Sequence, residues 1–416
     1  MKDTIISGID IGSTCIRAVV GQMFSDGTEK KLQIIGAAEH QSEGVNRGSI
    51  TSMESAISSI TACLEKAERV TGIPVDSAWI GISGTHVVSQ TSRGIVAVGK
   101  VNGEISRQDV ERAVEAARAI ATPANYEILH VIPRGAIIDG QIAIKDPIGM
   151  TGTRLEVDTL IIQGFASEIR NFTKCIYRTG LEIDDLVFSI LATAEAVLTN
   201  KQKDLGVILV NIGGSTTSII VYEEGEILHT AVIPVGSDHI TCDIAIGLRI
   251  SIDSAEKIKR DYGNLPENSL SKKGEVELSD INPGDEGTVS MKYISQIIEA
   301  RVEEIFDKIE LELKKIGRNG VLPAGIVLTG GGSKLFGIIE TAKRQLKLPA
   351  SAAAVKNVIN PIEKVFDQSF TTAVGLSYWG LASHQQKLKS ANSLFNTDLS
   401  IDPRARVKKW FRSLLP

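Results

Sequence analysis

No run of about 18 apolar residues occurs in the 416-residue chain, which excludes a helix that spans a bilayer. Cysteine is scarce as well. Cys15, Cys63, Cys175 and Cys242 lie far apart, with no C-x-x-C pair and no histidine cluster nearby, so neither a disulfide framework nor a zinc site is expected. Four reduced, buried thiols are expected instead. The six histidines are equally dispersed. No G-x-G-x-x-G opens a helix after the first apolar run, which argues against a dinucleotide fold, and no serine elbow or cysteine–histidine pair stands out. GIVAVGKV at 94–101 has the glycine and lysine spacing of a phosphate loop, but Val101 replaces the hydroxyl that would bind magnesium, and IVAV has strand chemistry. The opening MKDTIISGID carries Asp3 where a signal peptide needs an apolar core, so a cytoplasmic chain is expected.

Charge is present, and it is unevenly placed. The net charge is −5, yet residues 404–416 hold Arg404, Arg406, Lys408, Lys409 and Arg412 without an acidic side chain, a local +5 that leaves −10 on the rest. An acidic body argues against a broad nucleic-acid surface, and a basic tail argues for an electrostatic partner of its own. Asp402 can cap a helix there and Pro403 suits its first turn. Val407, Trp410, Phe411, Leu414 and Leu415 then fall on one apolar stripe, with Lys408, Lys409 and Arg412 beside it. Residues 403–416 would make roughly 21 Å of helix, too short for a hydrocarbon core of about 30 Å. A helix lying in the surface of an anionic membrane is expected.

The body reads as α/β. TIISGIDIG, CIRAVVGQM and KKLQIIGAAEH are strands, MESAISSITACLEKAERVTG is an amphipathic helix ended by Gly72, and SAWIGISG is a buried strand. A second block, 84–162, combines strands with one helix, ISRQDVERAVEAARAI, in which Ser106 and Asp109 are spaced as a capping pair. Two helical stretches around EIDDLVFS follow, then three strands from DLGVILVNIGGSTTSIIVYEEGEILHTAVIPVG. A polar stretch at about 264–292 reads as a loop or hairpin before a long helix, and 383–402 reads as a linker.

An internal echo organises these segments. GIDIGST at 8–14 recurs as VNIGGST at 210–216, each an apolar strand breaking into a Gly-Ser/Thr turn before another strand. Two similar halves facing one another are implied. Glycine turns let backbone N–H groups approach and cradle phosphate oxygens, so two of them could clamp a polyphosphate from opposite sides. Ser13, Thr14, Ser215, Thr216 and Thr217 would add hydroxyl donors, and Asp10 would face the metal that accompanies a polyphosphate. LTGGGS at 328–333 is a third turn, where glycine backbone can lie flat against a base or ribose.

Together with AEKIKRDYG at 255–263, these turns resemble the actin/Hsp70/sugar-kinase superfamily of ATP-binding proteins. GISGTHV, LHVIPRGAIIDG, KDPIGMTGTRLEV, LATAEAVLT, AGIVLTGGG and FTTAVGL narrow the resemblance to the FtsA family of bacterial actin-like division proteins, from about residue 5 to 380 and again in the tail. The resemblance implies a duplicated actin-like (RNase H-like) fold: 1–83 as the first half, 84–162 as an inserted small subdomain, 163–382 as the second half with an outer subdomain at about 240–325, then the linker and 403–416 as the membrane helix. It implies ATP and magnesium in the cleft. Asp10, Gly12, Ser13 and Thr14 would stand on one side and Gly213, Gly214, Ser215 and Thr216 on the other, with Glu256 and Lys259 at ribose and base and Gly330, Gly331 and Gly332 closing the adenosine side. Asp10 and Asn211 would be the catalytic pair, weakened because the second turn usually begins with aspartate. Ser189 falls where relatives orient the attacking water, and a serine is short for that. Slow hydrolysis is expected. The implied partners are FtsZ, docked on about 240–320 near Arg301, the chain itself in filaments, other division proteins and the inner face of the cell membrane, where the protein would be peripheral; no nucleic acid is implied. A sugar or acetate kinase, an Hsp70-like chaperone and a pilus-assembly actin homologue are the rivals. The first lacks a marked carboxylate base and the second lacks room for a further domain, since about 36 residues follow Gly380.

Overall fold

The computed structural model describes residues 4–26, 29–265, 274–356, 358–359 and 362–392. The first half is built on β1 (Thr4–Ile11), β2 (Cys15–Asp26), β3 (Glu29–Gln41), the small hairpin β4 (Val45–Asn46) and β5 (Ser49–Ile50), α1 (Met53–Thr71) and β6 (Ser77–Ile82). Ser52 caps α1 by accepting a hydrogen bond from Ser55 N–H, and Gly72 ends it in the left-handed region at φ 70°, a conformation that favours glycine. The inserted block follows: β7 (Val87–Ala97), α2 (Arg107–Ala121), β8 (Tyr126–Ile138), β9 (Gln141–Ile144) and β10 (Arg154–Phe165). The chain returns through α3 (Ala166–Tyr177), β11 (Glu182–Phe188) and α4 (Ser189–Val197).

The second half runs α5 (Asn200–Leu205), β12 (Val207–Ile212), β13 (Thr217–Glu223), β14 (Glu226–Ile233), α6 (Ser237–Leu248) and α7 (Ile252–Tyr262). Then come β15 (Glu275–Glu277), α8 (Leu278–Ile281), β16 (Thr288–Ser290), α9 (Met291–Lys315), β17 (Ile326–Thr329), α10 (Ile338–Leu346), β18 (Ala350–Ala352) and α11 (Thr371–Asn392). The described part of the polar stretch before α9, from Glu275 to Ser290, is a two-stranded hairpin around one short helix. α9 buries Ile294, Ile298, Val302, Ile305, Phe306, Ile309 and Leu313, the spacing of a helix with one apolar stripe.

The duplication is complete at the level of the sheets. The first orders its strands β3-β2-β1-β6-β11 and the second β14-β13-β12-β17-β18. In each, the first three strands are antiparallel neighbours and the last two join in parallel. α1 and α3 cover the outer face of the first sheet, and α6, α7, α9 and α10 that of the second. Between the sheets lie α4 and α11, packed with Ile6, Val19 and Ile34 on one side and Leu209, Ile220 and Val327 on the other. Burial on both faces explains why the central strands read as nearly continuous apolar runs.

The two inner helices cross at Gly375, where a β-carbon would lie 2.0 Å from Ala192 O. α11 also lies directly on β1, since a β-carbon on Gly8 would meet Ala373 O at 2.4 Å.

The inserted block forms its own sheet, β7-β10-β8-β9, under α2. The glycine that mimicked a phosphate loop, Gly94, sits inside β7, and its missing side chain admits α2, whose Ala113 O would be 1.7 Å from a β-carbon there. Ser106 and Asp109 form the expected capping box. This block also reaches the second half. Ser89 Oγ donates to Thr230 O at 2.8 Å, Arg134 to the carbonyls of Ile227 and Leu228, and Lys145 to Glu224 O, so side-chain donors cover the exposed edge of β14.

Two expectations are corrected. The linker expected at 383–402 begins as helix, because α11 continues to Asn392: residues 383–392 hold no proline or glycine and are rich in helix-forming Gln, Lys, Leu and Ala. The thiols are not all buried. Cys63 and Cys175 are, Cys15 is half-buried, and Cys242 is exposed on the outer side of α6, opposite the buried Ile240, Thr241 and Ile244. The membrane-helix residues Val407, Lys408, Lys409, Trp410, Phe411, Arg412, Leu414 and Leu415 lie outside the described residues.

Candidate functional site

The β1–β2 and β12–β13 turns are built alike. Gly12 N–H donates to Cys15 O at 3.2 Å, and Gly213 N–H to Thr216 O at 2.9 Å. A β-carbon on Gly12 would stand 2.8 Å from Cys15 O and one on Gly213 2.9 Å from Thr216 O, so each turn is too tight for a side chain there. The turns also meet. Ser215 Oγ donates to Ser13 Oγ at 2.7 Å, and Thr14 Oγ1 donates across the same gap to Asp238 Oδ2 at 3.1 Å. Gly214 leaves the room for this, because its β-carbon would be 1.9 Å from Thr14 Oγ1.

Further contacts frame the pair of turns. Ser237 N–H and Asp238 N–H, at the start of α6, donate to Gly213 O and Gly214 O, each at 2.9 Å. Arg47 N–H, in the β4–β5 hairpin, donates to Ser215 Oγ at 3.1 Å, and Ser83 and Ser218 pair at 3.0 Å. Asp238 and Arg47 carried no sequence signal beyond the glycines beside them, Gly236 and Gly48. Thr217 is removed from the ligand-facing set: it is fully buried and its hydroxyl donates to Val235 O, so it closes the strand end instead.

Asp10 lies at the end of β1, opposite Arg17 in the register with β2. Burial pushes its carboxyl up to about 6, against the pull of the Arg17 guanidinium. A β-carbon on the neighbouring Gly81 would be 2.8 Å from Ser189 Oγ and 3.4 Å from Asp10 Oδ1, so the two side chains abut the same backbone. Ser189 is 5% exposed and its hydroxyl finds no hydrogen-bond partner among the described residues. A half-buried carboxylate beside an unpartnered hydroxyl and two glycine turns is a donor set suited to phosphate oxygens and a hard divalent cation.

Asn211 holds the position in β12 that Asp10 holds in β1. Its Nδ2 donates to Thr372 Oγ1 at 3.2 Å, and its Oδ1 fills the space beside Gly330, 2.2 Å from where a β-carbon would be. Gly330, at φ 86°, thus abuts the second turn. Gly332 is buried against Ile212, and Gly331 between them is exposed, with open space before it.

Glu256 and Lys259 share a face of α7 and pair at 2.6 Å. The pair is half-buried and tied to α6: Thr241 Oγ1 donates to Glu256 Oε2 at 2.6 Å, and Lys259 Nζ donates to Thr241 Oγ1 at 2.8 Å and Ser237 O at 3.3 Å. Lys259 holds the Glu256 carboxyl below its usual range although burial pulls the other way. Beyond the end of α7, Leu265 N–H donates to Phe336 O, so α7 and the third glycine turn flank one region. Arg301, named from the sequence as lying near a docking region, is held by acidic neighbours. It grips Asp243 at 2.6 and 2.8 Å and also bonds Glu304.

Among the described residues no cluster of acidic, histidine or cysteine side chains is arranged to hold a metal by itself, and no helix is long and apolar enough to cross a membrane.

Comparison with known proteins gives the context. The sequence model described as cell division protein FtsA matches residues 208–375, and that of the SHS2 domain inserted in FtsA matches 84–163. The cell division protein FtsA of Pseudomonas aeruginosa is 35% identical over 412 residues, covering 98% of this chain and 97% of its own. That of Bacillus subtilis is 37% identical over 368 residues, covering 88% and 81%. Among solved structures, the PilM–PilN type IV pilus biogenesis complex is similar at TM-score 0.65 and 18% identity, covering 90% of this chain and 98% of that one. MreB5 of Spiroplasma citri bound to AMPPNP is similar at TM-score 0.57 and 14% identity, covering 93% and 98%. At such identities the structural likeness establishes an actin-like fold alone.

Proposed function

The chain belongs to the FtsA family of cell division proteins, and from that premise we propose that it binds ATP with magnesium, polymerises, and tethers FtsZ filaments to the inner face of the cytoplasmic membrane. One observation carries the nucleotide reading: two turns with the same internal hydrogen bond, Gly12 to Cys15 and Gly213 to Thr216, converge until Ser13 and Ser215 touch. Backbone amides on both sides would then hold one polyphosphate, with Asp10 as the carboxylate for magnesium, which when bound would neutralise phosphate charge. Gly331 and the Glu256–Lys259 pair would border the nucleoside end.

Turnover is slow in this account. Asn211 contributes no charge, and Ser189 is too short to orient a water firmly. A measured rate near the usual enzyme median of roughly 10 per second would contradict it.

Polymerisation and tethering rest on the family and on the sequence of the tail. Actin-like halves with an inserted block offer head-to-tail surfaces, and a heterologous contact that does not close gives filaments. FtsZ would dock on the α6–α9 subdomain, where Ile246, three residues after the Asp243 that pairs with Arg301, is 76% exposed and Ile252, at the start of α7, is 55% exposed. Trp410 and Phe411 would insert between headgroups while Arg404, Arg406, Lys408, Lys409 and Arg412 meet anionic lipid at about 1 kcal/mol each. Co-sedimentation tests the anchor. The full chain pellets with anionic vesicles, and truncation after Asp402 or Trp410→Glu with Phe411→Glu leaves it soluble; equal pelleting of the truncated chain refutes the anchor.

A further inference from the structure

Where α4 and α11 cross, two buried hydroxyls and one half-buried amide form a chain that runs from one half to the other. Asn211 Nδ2 donates to Thr372 Oγ1 at 3.2 Å, Thr372 and Thr193 pair through their hydroxyls at 2.9 Å, and Thr193 Oγ1 donates to Ser189 O at 2.8 Å. Thr193 is 0% and Thr372 2% exposed, so water does not complete these bonds. Their direction follows from proton count. Thr193 has one hydroxyl proton and spends it on Ser189 O, so between the threonines Thr372 must be the donor. Thr372 is then free to accept, and only a donor at position 211 satisfies it.

We infer that Asn211, Thr372 and Thr193 are positioning residues, a one-way hydrogen-bond relay through the pivot that fixes the first turn of α4 relative to the second glycine turn. This rests on the nucleotide-cleft reading above. Gly375 brings the two helix backbones together beside the relay, so the halves cannot shift at the crossing without disturbing it. At its far end is Ser189, the first residue of α4, whose buried, unpartnered Oγ abuts the same Gly81 backbone as Asp10. A helix N-terminus with a free hydroxyl favours an added anion. The relay therefore sets how strongly the cleft prefers ATP, with its extra phosphate, over ADP.

The relay also explains why position 211 is asparagine. An ionised aspartate has no proton to give, so Thr372 would have to donate toward it. Thr193 could then satisfy Thr372 only by releasing Ser189 O, and the reversal would reach the start of α4.

A double-mutant cycle on the full chain, read as melting temperature with no nucleotide, with Mg-ADP and with Mg-ATP, tests this. Asn211→Asp and Thr193→Val each lower the melting temperature by about 2–4 °C. Combined, they lower it by clearly less than the sum, because with Thr193 gone Thr372 can donate to Asp at 211 without conflict. Thr372→Val keeps the stabilisation by Mg-ADP and loses the additional stabilisation by Mg-ATP, and Thr372→Ser restores it. Additive single effects, or an undiminished ATP preference in Thr372→Val, overturn the relay. If the wild-type chain is stabilised by neither nucleotide, the cleft reading falls, and the nucleotide-free cycle still decides whether the relay exists: additivity overturns it, coupling upholds it.

Discussion

Gly236 offers a sharp test of the second turn, because it lies outside the turn and controls where the turn sits. It precedes α6, and a β-carbon on it would lie 2.3 Å from Gly214 O and 2.6 Å from Gly213 O. Both neighbours are backbone, so neither can swing aside as a side chain would. In Gly236→Ala the turn must retreat by roughly 1 Å, which costs about 1–3 kcal/mol as an overpacked contact. The larger effect falls on binding. A displacement of about 1 Å in a positioning element can cost on the order of 100-fold, equivalent to about 2.7 kcal/mol of binding free energy. Isothermal titration with Mg-ATP measures it, with circular dichroism to show that the variant is folded. Gly135→Ala serves as the control, since a β-carbon there has Ile144 O at 4.0 Å as its nearest contact, in the inserted block. A folded Gly236→Ala protein that binds ATP within twofold of wild type would refute the claim that this turn holds the phosphates.

Two further expectations concern stability. Gly375→Val would place a β-carbon 2.0 Å from Ala192 O at the helix crossing, so it separates α4 from α11 and lowers the unfolding free energy by more than an ordinary overpacked site would, roughly 3 kcal/mol or beyond; a midpoint unchanged in urea titration contradicts the crossing. Asp109 accepts hydrogen bonds from Ser106 N–H, Ser106 Oγ and Gly99 N–H and pairs with Arg112. These partners hold its carboxyl far below the usual range although burial opposes them. A depressed folded value means that the stabilisation is fully present above the ordinary carboxylate value near about 4 and is lost as pH falls from there toward the folded value. Asp109→Asn therefore lowers the melting temperature at pH 7 by the loss of a cap worth about 1 kcal/mol or more, and the gap from wild type narrows below about pH 4. A gap that stays constant down to pH 2 contradicts this assignment.

The residues that were legible in the sequence are those whose neighbours are close in the chain. The GIDIGST and VNIGGST echo announced the duplication because each turn closes on itself within four residues, Gly12 to Cys15 and Gly213 to Thr216. Ser106 and Asp109 were legible as a cap for the same reason. What escaped is long-range. Asp238 meets Thr14 across 224 positions and Arg47 meets Ser215 across 168, so neither is marked by local spacing. Thr217 looked like another hydroxyl donor beside the turn, but the alternation of β13 turns it inward to Val235. Gly375 and Thr372 stood out in the sequence only within the FTTAVGL segment, and their roles emerge when α4 is seen crossing α11.

The central claim is that the two glycine turns hold one nucleotide between them. A crystal structure of the full chain grown with saturating Mg-ATP tests it most directly. The account predicts phosphate density bounded by Gly12 to Thr14 on one side and Gly213 to Thr216 on the other, with the nucleoside toward Gly331 and α7. A cleft without nucleotide at saturation, or a nucleotide bound elsewhere on the molecule, would contradict it.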